Sequence, residues 1–335
     1  MRESTVVHLV EPGRLELHSA PLGEPGPTEV LCETLVTAIS PGTELAAYAG
    51  LPPLREGIAY PRLQGYCNVG RVLAVGSEVL SVAVGDRVLS FTSHRSHFIL
   101  PEADLLLRLP ERARSEDVVC AYLFHLGYNA VLRSGIRAGS RVLVVGLGVL
   151  GLTSVAMASL AGATVYGLSD QSRPAKIAHE LGASCVCGRN ETEALCNALG
   201  SGLADVVIVT TNTWSDWGIA LQLAAPLGTV AVLGFPGRGS VPGPFNPLDS
   251  RYFYAKQLRI EAVGLSPERP DNRGFARFNE RDNLEFLAGK IVVGQLNAGA
   301  LISGEYPGTH IEQAYQDLIA RKNSPVTYLL RWNQE

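Results

Sequence analysis

Three glycines near the middle of the chain have the spacing of a loop that binds phosphate groups. Gly146, Gly148 and Gly151 form the pattern G-x-G-x-x-G, directly after an apolar run that ends at Val145. In such a loop the first glycine permits a tight turn, the second lets a pyrophosphate approach the backbone, and the third lets helix and strand pack closely. The N-terminus of the following helix attracts the anion. The pattern predicts a dinucleotide site formed by Gly146, Gly148, Val149, Leu150 and Gly151.

The residues after the next strand should contact the adenosine ribose, where an acidic residue commonly binds the hydroxyl groups. Ser169 stands at the position expected for that acid, and Asp170 and Arg173 follow it. Ser169 and Arg173 could hold a 2′-phosphate, whereas Asp170 would repel one. Alternatively, Arg173 is a solvated residue at the start of a helix. Together these residues favour NADP(H) and leave NAD(H) as the alternative.

Alternating strands and helices must position this loop. Between residues 123 and 290, short apolar strands such as 141–145 and 164–168 alternate with helical segments, and 258–263 is a candidate last strand. This order is typical of a doubly wound parallel sheet and predicts an α/β Rossmann dinucleotide-binding domain. Residues 1–122 instead contain short β-rich runs separated by glycine and proline, which predicts a partly open β-barrel or an irregular antiparallel unit.

Composition excludes several classes of protein. The chain has 335 residues, a net charge of −4 and 46% hydrophobic residues, so it can form a sizeable core but lacks the basic excess of a nucleic-acid binder. No apolar run reaches the length of a membrane span, and the N-terminus shows no secretory signal. The six cysteines include no C-x-x-C pair, and His94 and His97 are interpreted as strand residues rather than metal ligands. We expect a cytoplasmic protein that acts on a small molecule, without a nucleic-acid or membrane partner.

Motifs in both halves of the chain resemble those of the medium-chain dehydrogenase/reductase family. Besides the glycine loop, they lie at residues 40–50, 65–72, 84–88 and 181–183. The resemblance implies a GroES-like catalytic domain, formed by residues 1–122 and completed by 291–335, around an inserted cofactor domain at 123–290. Within the family, the first two motifs resemble the bacteriochlorophyllide a dehydrogenase-like group. The family also implies a homodimer formed through the edge strand at 258–263.

Zinc-dependent members of this family carry metal ligands at positions that hold other residues here. Pro41 stands at the first position, Tyr66 and Cys67 replace a His-Glu pair, and Tyr122 lies near the last position. A catalytic zinc needs three protein ligands and one open position. One cysteine cannot supply this set, so the resemblance implies a zinc-independent branch without a metal.

Without zinc, a side chain must transfer a proton at the substrate oxygen while hydride moves to or from the nicotinamide. Thr43 stands where zinc-dependent relatives place a relay hydroxyl, with helix capping as the alternative role. Tyr66 can donate a proton into the space of the missing metal, or it can fill that space with its ring. By family position His125 lies beside the nicotinamide, and histidine titrates near neutral pH, although core packing would also explain it. We predict that Thr43, Tyr66 and His125 are catalytic.

The remaining site residues are assigned by family position. Glu44 is either an anchor behind the site or a solvated or capping carboxylate, and Cys67 is interpreted as a small apolar filler. The substrate pocket is predicted to contain Tyr48, Cys67, Glu44 and Tyr122. Residues after the later strands should complete the cofactor site, namely Thr210, Thr211, Gly234, Phe235 and Leu265.

The predicted reaction is hydride transfer between the nicotinamide of NADP(H) or NAD(H) and a secondary alcohol or ketone of a small or medium organic substrate. One alternative keeps the cofactor but reduces an activated C=C or C=N bond, as other zinc-free relatives do. A second alternative is a non-catalytic NAD(P)-binding protein, since loss of the metal can mean loss of catalysis.

Overall fold

The computed structural model describes residues 2–52, 60–200, 202–239, 245–268 and 273–332. The chain divides into two compact units, which are described separately. Unit 1 consists of Met1–Tyr122 and Glu268–Glu335, and unit 2 consists of Leu123–Pro267.

Short strands dominate the N-terminal part of unit 1. Its first helix begins at Pro41, whose fixed φ angle suits the first helical position, and Ser40 is the N-cap residue. The elements are strands β1 (Arg2–Glu11), β2 (Arg14–Leu22), β3 (Glu29–Ala38), β4 (Arg62–Leu63), β5 (Asn68–Val75), β6 (Arg87–Ser90), β7 (His97–Pro101) and β8 (Leu107–Arg108), with helices α1 (Pro41–Tyr48) and α2 (Ser115–Val118).

Strands and helices alternate through unit 2. The six strands form one sheet in the order β11-β10-β9-β12-β13-β14, and every neighbouring pair is parallel. This is the doubly wound order, with its switch point between β9 and β12. The elements are α3 (Ala121–Ser134), β9 (Arg141–Val145), α4 (Val149–Leu160), β10 (Thr164–Leu168), α5 (Ser172–Glu180), β11 (Ala183–Cys187), α6 (Thr192–Leu199), β12 (Ala204–Val209), α7 (Trp214–Leu223), β13 (Ala224–Val232) and β14 (Arg259–Ala262).

The C-terminal segment completes unit 1. Its elements are α8 (Glu280–Val292), β15 (Ile302–Pro307), α9 (Ile311–Ala320) and β16 (Thr327–Arg331). Strand β16 pairs antiparallel with β3. The larger sheet therefore has the order β15-β16-β3-β5-β6-β8, and β7 also pairs with β3. Strands β2-β1-β4 form a second sheet. Helix α8 contacts α2 and β8, which explains why the second division lies at Pro267 rather than at the predicted residue 290.

The predicted fold class is confirmed: a doubly wound cofactor unit accompanies a β-rich unit. The core of unit 2 lies under the parallel sheet, where Leu143, Leu168 and Trp217 belong to one buried cluster. In unit 1 the fully buried Tyr315 of α9 packs in a cluster with Leu9 and Ile39. None of the helices in the described parts of the chain has the length and apolar character needed to cross a bilayer.

Candidate functional site

The glycine loop connects β9 to α4 in unit 2, and two of its glycines are required by the protein's own packing. Gly146 has a φ of +89°, and a Cβ atom there would lie 2.4 Å from Cγ2 of Thr211. A Cβ atom at Gly151 would lie 1.8 Å from the carbonyl oxygen of Gly146. Any side chain at either position would therefore force the loop apart.

Gly148 differs from the other two, because a Cβ atom there would meet no protein atom within 4 Å. It is the N-cap residue of α4, and no side chain caps this helix. The backbone N–H groups of the first helical turn, which include those of Val149 and Leu150, have no carbonyl partner within the helix. Open space and free donors at a helix N-terminus fit the pyrophosphate of a dinucleotide.

The residues predicted after β12 and β13 meet beside the glycine loop. The Oγ1 atom of Thr210 contacts the carbonyl oxygens of Val145 and Gly146 at 3.0 Å each and donates its proton to them. A Cβ atom at Gly234 would lie 2.6 Å from the carbonyl oxygen of Thr211, so this position also requires glycine.

The backbone N–H of Phe235 donates to Oδ1 of Asn212 at 3.0 Å, which joins the turn after β13 to the turn after β12. Asn212 was not among the predicted site residues. Leu265 follows β14, and 65% of its surface is exposed. The carboxyl ends of β9, β12 and β13 thus form one continuous surface, which is where doubly wound sheets bind ligands.

An arginine that the sequence analysis missed organises the end of β10. The backbone N–H and the Nη1 atom of Arg189 donate to the two carboxylate oxygens of Asp170, each at 2.7 Å. Its Nε and Nη2 atoms donate to both oxygens of the fully buried Asp216 at 2.7 and 2.9 Å. Hydrogen bonds from Arg189 lower the pKa of Asp170, and they lower that of Asp216 although burial alone would raise it. Ser169 and the partly exposed Arg173 lie on either side of Asp170 in sequence.

In unit 1 the structure brings together hydroxyl groups from α1 and from the turn before β5. The phenol of Tyr66 donates to Oγ of Ser40 at 2.5 Å and lies 3.4 Å from Oγ1 of Thr43. Thr43 lies in the first turn of α1, after the N-cap residue Ser40, so it is not the cap of this helix. The ring of Tyr122 packs edge-on against that of Tyr66, with 5.4 Å between centroids.

A buried carboxylate lies directly behind these hydroxyls. Glu44 is 1% exposed, and its Oε1 atom accepts the backbone N–H of Ser40 at 2.6 Å. Its Oε2 atom lies 2.9 Å from Nε2 of His94 and 2.5 Å from the phenol of Tyr315. Glu44 is therefore a buried carboxylate with three hydrogen-bond partners rather than a solvated one. His94, set aside in the sequence analysis, is its fully buried partner.

Hydrogen-bond partners surround both ring nitrogens of His94. Trp332 can only donate, and its Nε1 atom donates to Oγ1 of Thr37 at 3.1 Å. The same Oγ1 atom lies 2.8 Å from Nδ1 of His94. Nε2 of His94 thus faces Glu44 and Nδ1 faces Thr37, so both ring nitrogens have a hydrogen-bond partner.

The positions at which zinc-dependent members of the resembled family carry metal ligands hold other side chains here. The side chain of Pro41 has no atom that could bind a metal, and burial raises the pKa of the Cys67 thiol well above its usual value. The hydroxyl of Tyr66 is bound to Ser40, and burial raises its pKa as well. Within the described ranges, no three His, Cys, Asp or Glu side chains are placed to hold a metal ion.

Tyr48 lies in the core of unit 1, and His125 belongs to unit 2. Tyr48 is 7% exposed and packs edge-on against Tyr315 in the core, with its hydroxyl accepting from Gln316 at 3.0 Å. His125 belongs to unit 2, in α3, and burial lowers its pKa to about 4. A histidine with this pKa is neutral at pH 7, so it can form hydrogen bonds but is not an acid there.

Comparisons with known proteins agree with this geometry. Residues 149–278 match the family model described as zinc-binding dehydrogenase. An alcohol dehydrogenase from Cupriavidus necator is 24% identical, with 95% of each chain covered. The structure of 2R,3R-butanediol dehydrogenase from Bacillus subtilis superimposes with a TM-score of 0.82 at 18% identity, covering 98% of this chain and 100% of the other. A zinc-binding dehydrogenase from Sinorhizobium meliloti 1021, bound to NADP, gives 0.80 at 22% identity and coverages of 99% and 100%.

The doubly wound sheet and the accompanying β-rich unit give the chain the same fold as these solved dehydrogenases. In sequence the chain is similar to zinc-binding dehydrogenases over residues 149–278 and to an alcohol dehydrogenase over most of its length.

Proposed function

We propose that the chain is a zinc-independent NAD(P)(H)-dependent oxidoreductase that interconverts a ketone and a secondary alcohol, with Tyr66 as the proton-transfer group. The observation that carries this proposal is the phenol of Tyr66, which stands at a zinc-ligand position of the family and lies 2.5 Å from the hydroxyl of Ser40. Proton transfer by a positioned hydroxyl replaces the polarisation of the substrate oxygen that a metal would supply.

The chemistry of Tyr66 favours ketone reduction. The bound dinucleotide supplies the hydride. Burial, with the nearby Cys67 and Glu44, raises the pKa of Tyr66, so the phenol is protonated at neutral pH and acts as an acid toward the carbonyl oxygen. When its proton has gone, the hydroxyl of Ser40 can turn and donate to the phenolate oxygen. Thr43 offers a second hydroxyl at 3.4 Å.

Glu44 and His94 hold these hydroxyls in place. Because Glu44 binds the backbone N–H of Ser40, the start of α1 is fixed relative to the buried imidazole. A side chain locked by a second layer of hydrogen bonds keeps its geometry during reaction. We therefore assign positioning roles to both residues.

Zinc independence is part of the proposal. Its support is the mismatch between the residues at the ligand positions and the needs of a tetrahedral zinc site. The family model named for zinc matches only residues 149–278, which do not include Pro41, Tyr66, Cys67 or Tyr122. Metal analysis of the purified protein tests this point, and stoichiometric zinc that resists dialysis would overturn it.

The substrate class is a small or medium organic molecule. The ring of Tyr122 packs against Tyr66, and that of Phe91 packs against Tyr122, so the two rings offer an apolar surface. The Bacillus subtilis structural neighbour is named for a secondary diol. Ketones and secondary alcohols of similar size are therefore the first compounds to screen.

The decisive experiment compares Tyr66→Phe with Tyr122→Phe, each assayed with a panel of ketones and enones. Loss of the Tyr66 hydroxyl should lower ketone turnover by roughly 10²- to 10⁴-fold, because a general acid contributes about that much. Tyr122→Phe keeps the ring contact and should retain most of the activity. Unchanged turnover of Tyr66→Phe on an enone would favour reduction of C=C or C=N bonds. Tight dinucleotide binding without turnover on any compound would favour a non-catalytic role.

We further propose NADP(H) as the preferred cofactor. The Asp170 carboxylate is engaged by Arg189 on both oxygens, which reduces the repulsion that it would exert on a 2′-phosphate. Ser169 and Arg173 are then the 2′-phosphate ligands. Arg173→Ala should weaken NADPH binding about tenfold and leave NADH binding unchanged, since a charge-assisted contact is lost only with the phosphate. Tighter binding of NADH than of NADPH by the unmodified protein would contradict this assignment.

We also propose that the chain forms a homodimer and acts in the reducing cytoplasm. Strand β14 is the edge of the sheet in unit 2, and an exposed edge can pair with a second copy. All six cysteines are free thiols, as a reducing compartment requires. A monomeric mass at micromolar concentration would disprove the dimer.

A further inference from the structure

Two thiols face each other on β11, which forms the edge of the unit 2 sheet opposite β14. Cys185 and Cys187 both belong to β11, and their Sγ atoms are 3.6 Å apart. They pair with Tyr166 and Leu168 of β10, so both point to the same face of the sheet. Cys185 is partly exposed, whereas Cys187 is buried. The dinucleotide chemistry proposed above gives this pair no role.

The second thiol is coupled to the candidate ribose-binding residues through the backbone. The carbonyl oxygen of Cys187 accepts the backbone N–H of Ser169 at 3.0 Å. Two residues after Cys187, the backbone N–H of Arg189 donates to Asp170 at 2.7 Å. Any movement of the end of β11 is therefore transmitted to Ser169 and Asp170.

We propose that Cys185 and Cys187 form a reversible dithiol–disulfide site that exchanges with small disulfides, and that its oxidation weakens dinucleotide binding. The effect on dinucleotide binding rests on the proposed cofactor site, whereas the dithiol–disulfide site does not. Within the described ranges these two thiols have no third ligand that would make a metal site, and contact between two thiols suits exchange.

The exchange proceeds in two balanced steps. The thiolate of the more exposed Cys185 attacks one sulfur of a small disulfide, which forms a mixed disulfide and releases one small thiol. The thiol of Cys187 loses its proton and attacks the Cys185 sulfur, which forms the internal S–S bond and releases the second small thiol. The protein pair loses two protons and two electrons, and these reduce the small disulfide to two thiols.

Bond formation must deform the strand. The Sγ atoms have to move from 3.6 Å to about 2.05 Å. Residues i and i+2 of an extended strand have Cα atoms about 6.6 Å apart, close to the upper limit for a disulfide. Strand β11 must therefore shorten, which its position at the sheet edge permits. The shortening displaces the Cys187 carbonyl and Arg189 from their partners.

Oxidised glutathione is the probe, and tryptic mapping provides the first readout. Cleavage after Lys176 and Arg189 leaves Cys185 and Cys187 on one peptide, residues 177–189, and places Cys196 on the next. Oxidation should reduce the titratable thiols from six to four and lower the mass of this peptide by about 2 Da, and dithiothreitol should reverse both changes. An unchanged peptide, or a cross-link to Cys196, would overturn the dithiol site.

The second readout is the Kd for NADPH and NADH of the oxidised and the reduced protein. We expect oxidation to raise Kd roughly two- to fivefold, the effect of loosening a partly exposed ion pair. Cys185→Ser and Cys187→Ser should abolish the change, and Cys196→Ser, a nearby thiol on α6, should retain it. Equal Kd values for both states would refute the coupling. Absence of binding in either state would refute the cofactor proposal, while peptide mapping would still decide the dithiol site.

Discussion

Replacing Glu44 by Gln tests whether an ionised carboxylate organises the hydroxyl cluster. Glu44 accepts three hydrogen bonds in the core, from Ser40, His94 and Tyr315. Gln offers one acceptor oxygen, so its NH2 group must face donors. The imidazole can turn to its other tautomer and accept from Gln, but the Tyr315 hydroxyl then loses its acceptor.

The cost follows from these contacts. One buried hydroxyl without an acceptor costs about 1–3 kcal/mol, and replacing charge-assisted by neutral hydrogen bonds adds about 1 kcal/mol. We therefore expect Glu44→Gln to lower the free energy of unfolding by about 2–4 kcal/mol. Because Ser40 loses its anchor, kcat should also fall, whereas the KM for the cofactor should not change.

Urea denaturation followed by tryptophan fluorescence measures the effect, and the chain contains a matched control. Glu16 also lies 2.9 Å from a histidine, His18, but this pair is exposed on the hairpin of β1 and β2. Glu16→Gln should leave the free energy of unfolding nearly unchanged, because an exposed ion pair contributes little to stability. If Glu44→Gln and Glu16→Gln changed the free energy of unfolding equally, Glu44 would not act as a charged acceptor. The proposed positioning role of Glu44 would then be refuted.

Two further predictions concern unit 2. Gly151→Ala should destabilise the protein and abolish dinucleotide binding, because its Cβ atom would lie 1.8 Å from the Gly146 carbonyl oxygen. Gly148→Ala should weaken dinucleotide binding with little change in the urea midpoint. Equal urea midpoints for the two variants would refute these roles of the glycines. Buried His125 has a pKa of about 4 against about 6.5 when unfolded, so stability should fall as pH drops through this window, by about 2 kcal/mol between pH 7 and 5. Urea midpoints at both pH values should show that His125→Gln flattens this dependence and that the exposed His18→Gln keeps it; an unchanged slope in His125→Gln would refute the assignment.

The fold could be predicted because its signals are local. The glycine spacing, the apolar strands and the strand–helix alternation each lie within short windows, and each element type of unit 2 follows from them. Boundaries were less accurate, since β14 spans Arg259–Ala262 rather than the predicted 258–263. The end of the cofactor domain was placed at 290 because nothing in the sequence shows that α8 packs on α2 and β8.

The site was only partly predictable, because its missing members come from distant segments. His94 looked like a strand residue, yet it meets Glu44 across fifty positions of sequence and Thr37 across fifty-seven. Arg189 belongs to no recognisable sequence motif. Its contact with Asp170 is visible only in the structure, where Arg189 follows the end of β11. A buried carboxylate requires hydrogen-bond or ion-pair partners. The identity of these partners becomes visible only in the folded structure.

The division of the chain into a continuous unit 2 and a split unit 1 has a consequence for biosynthesis. Residues 123–267 are contiguous, so unit 2 has its whole sheet once the ribosome has passed β14. Unit 1 must wait for the last segment, because β3 pairs with β16 and Glu44 binds Tyr315. Until then the edge of β3 is open, and an unpaired strand edge favours aggregation. Unit 1 therefore depends on β16 to cover β3, however early β3 has been synthesised.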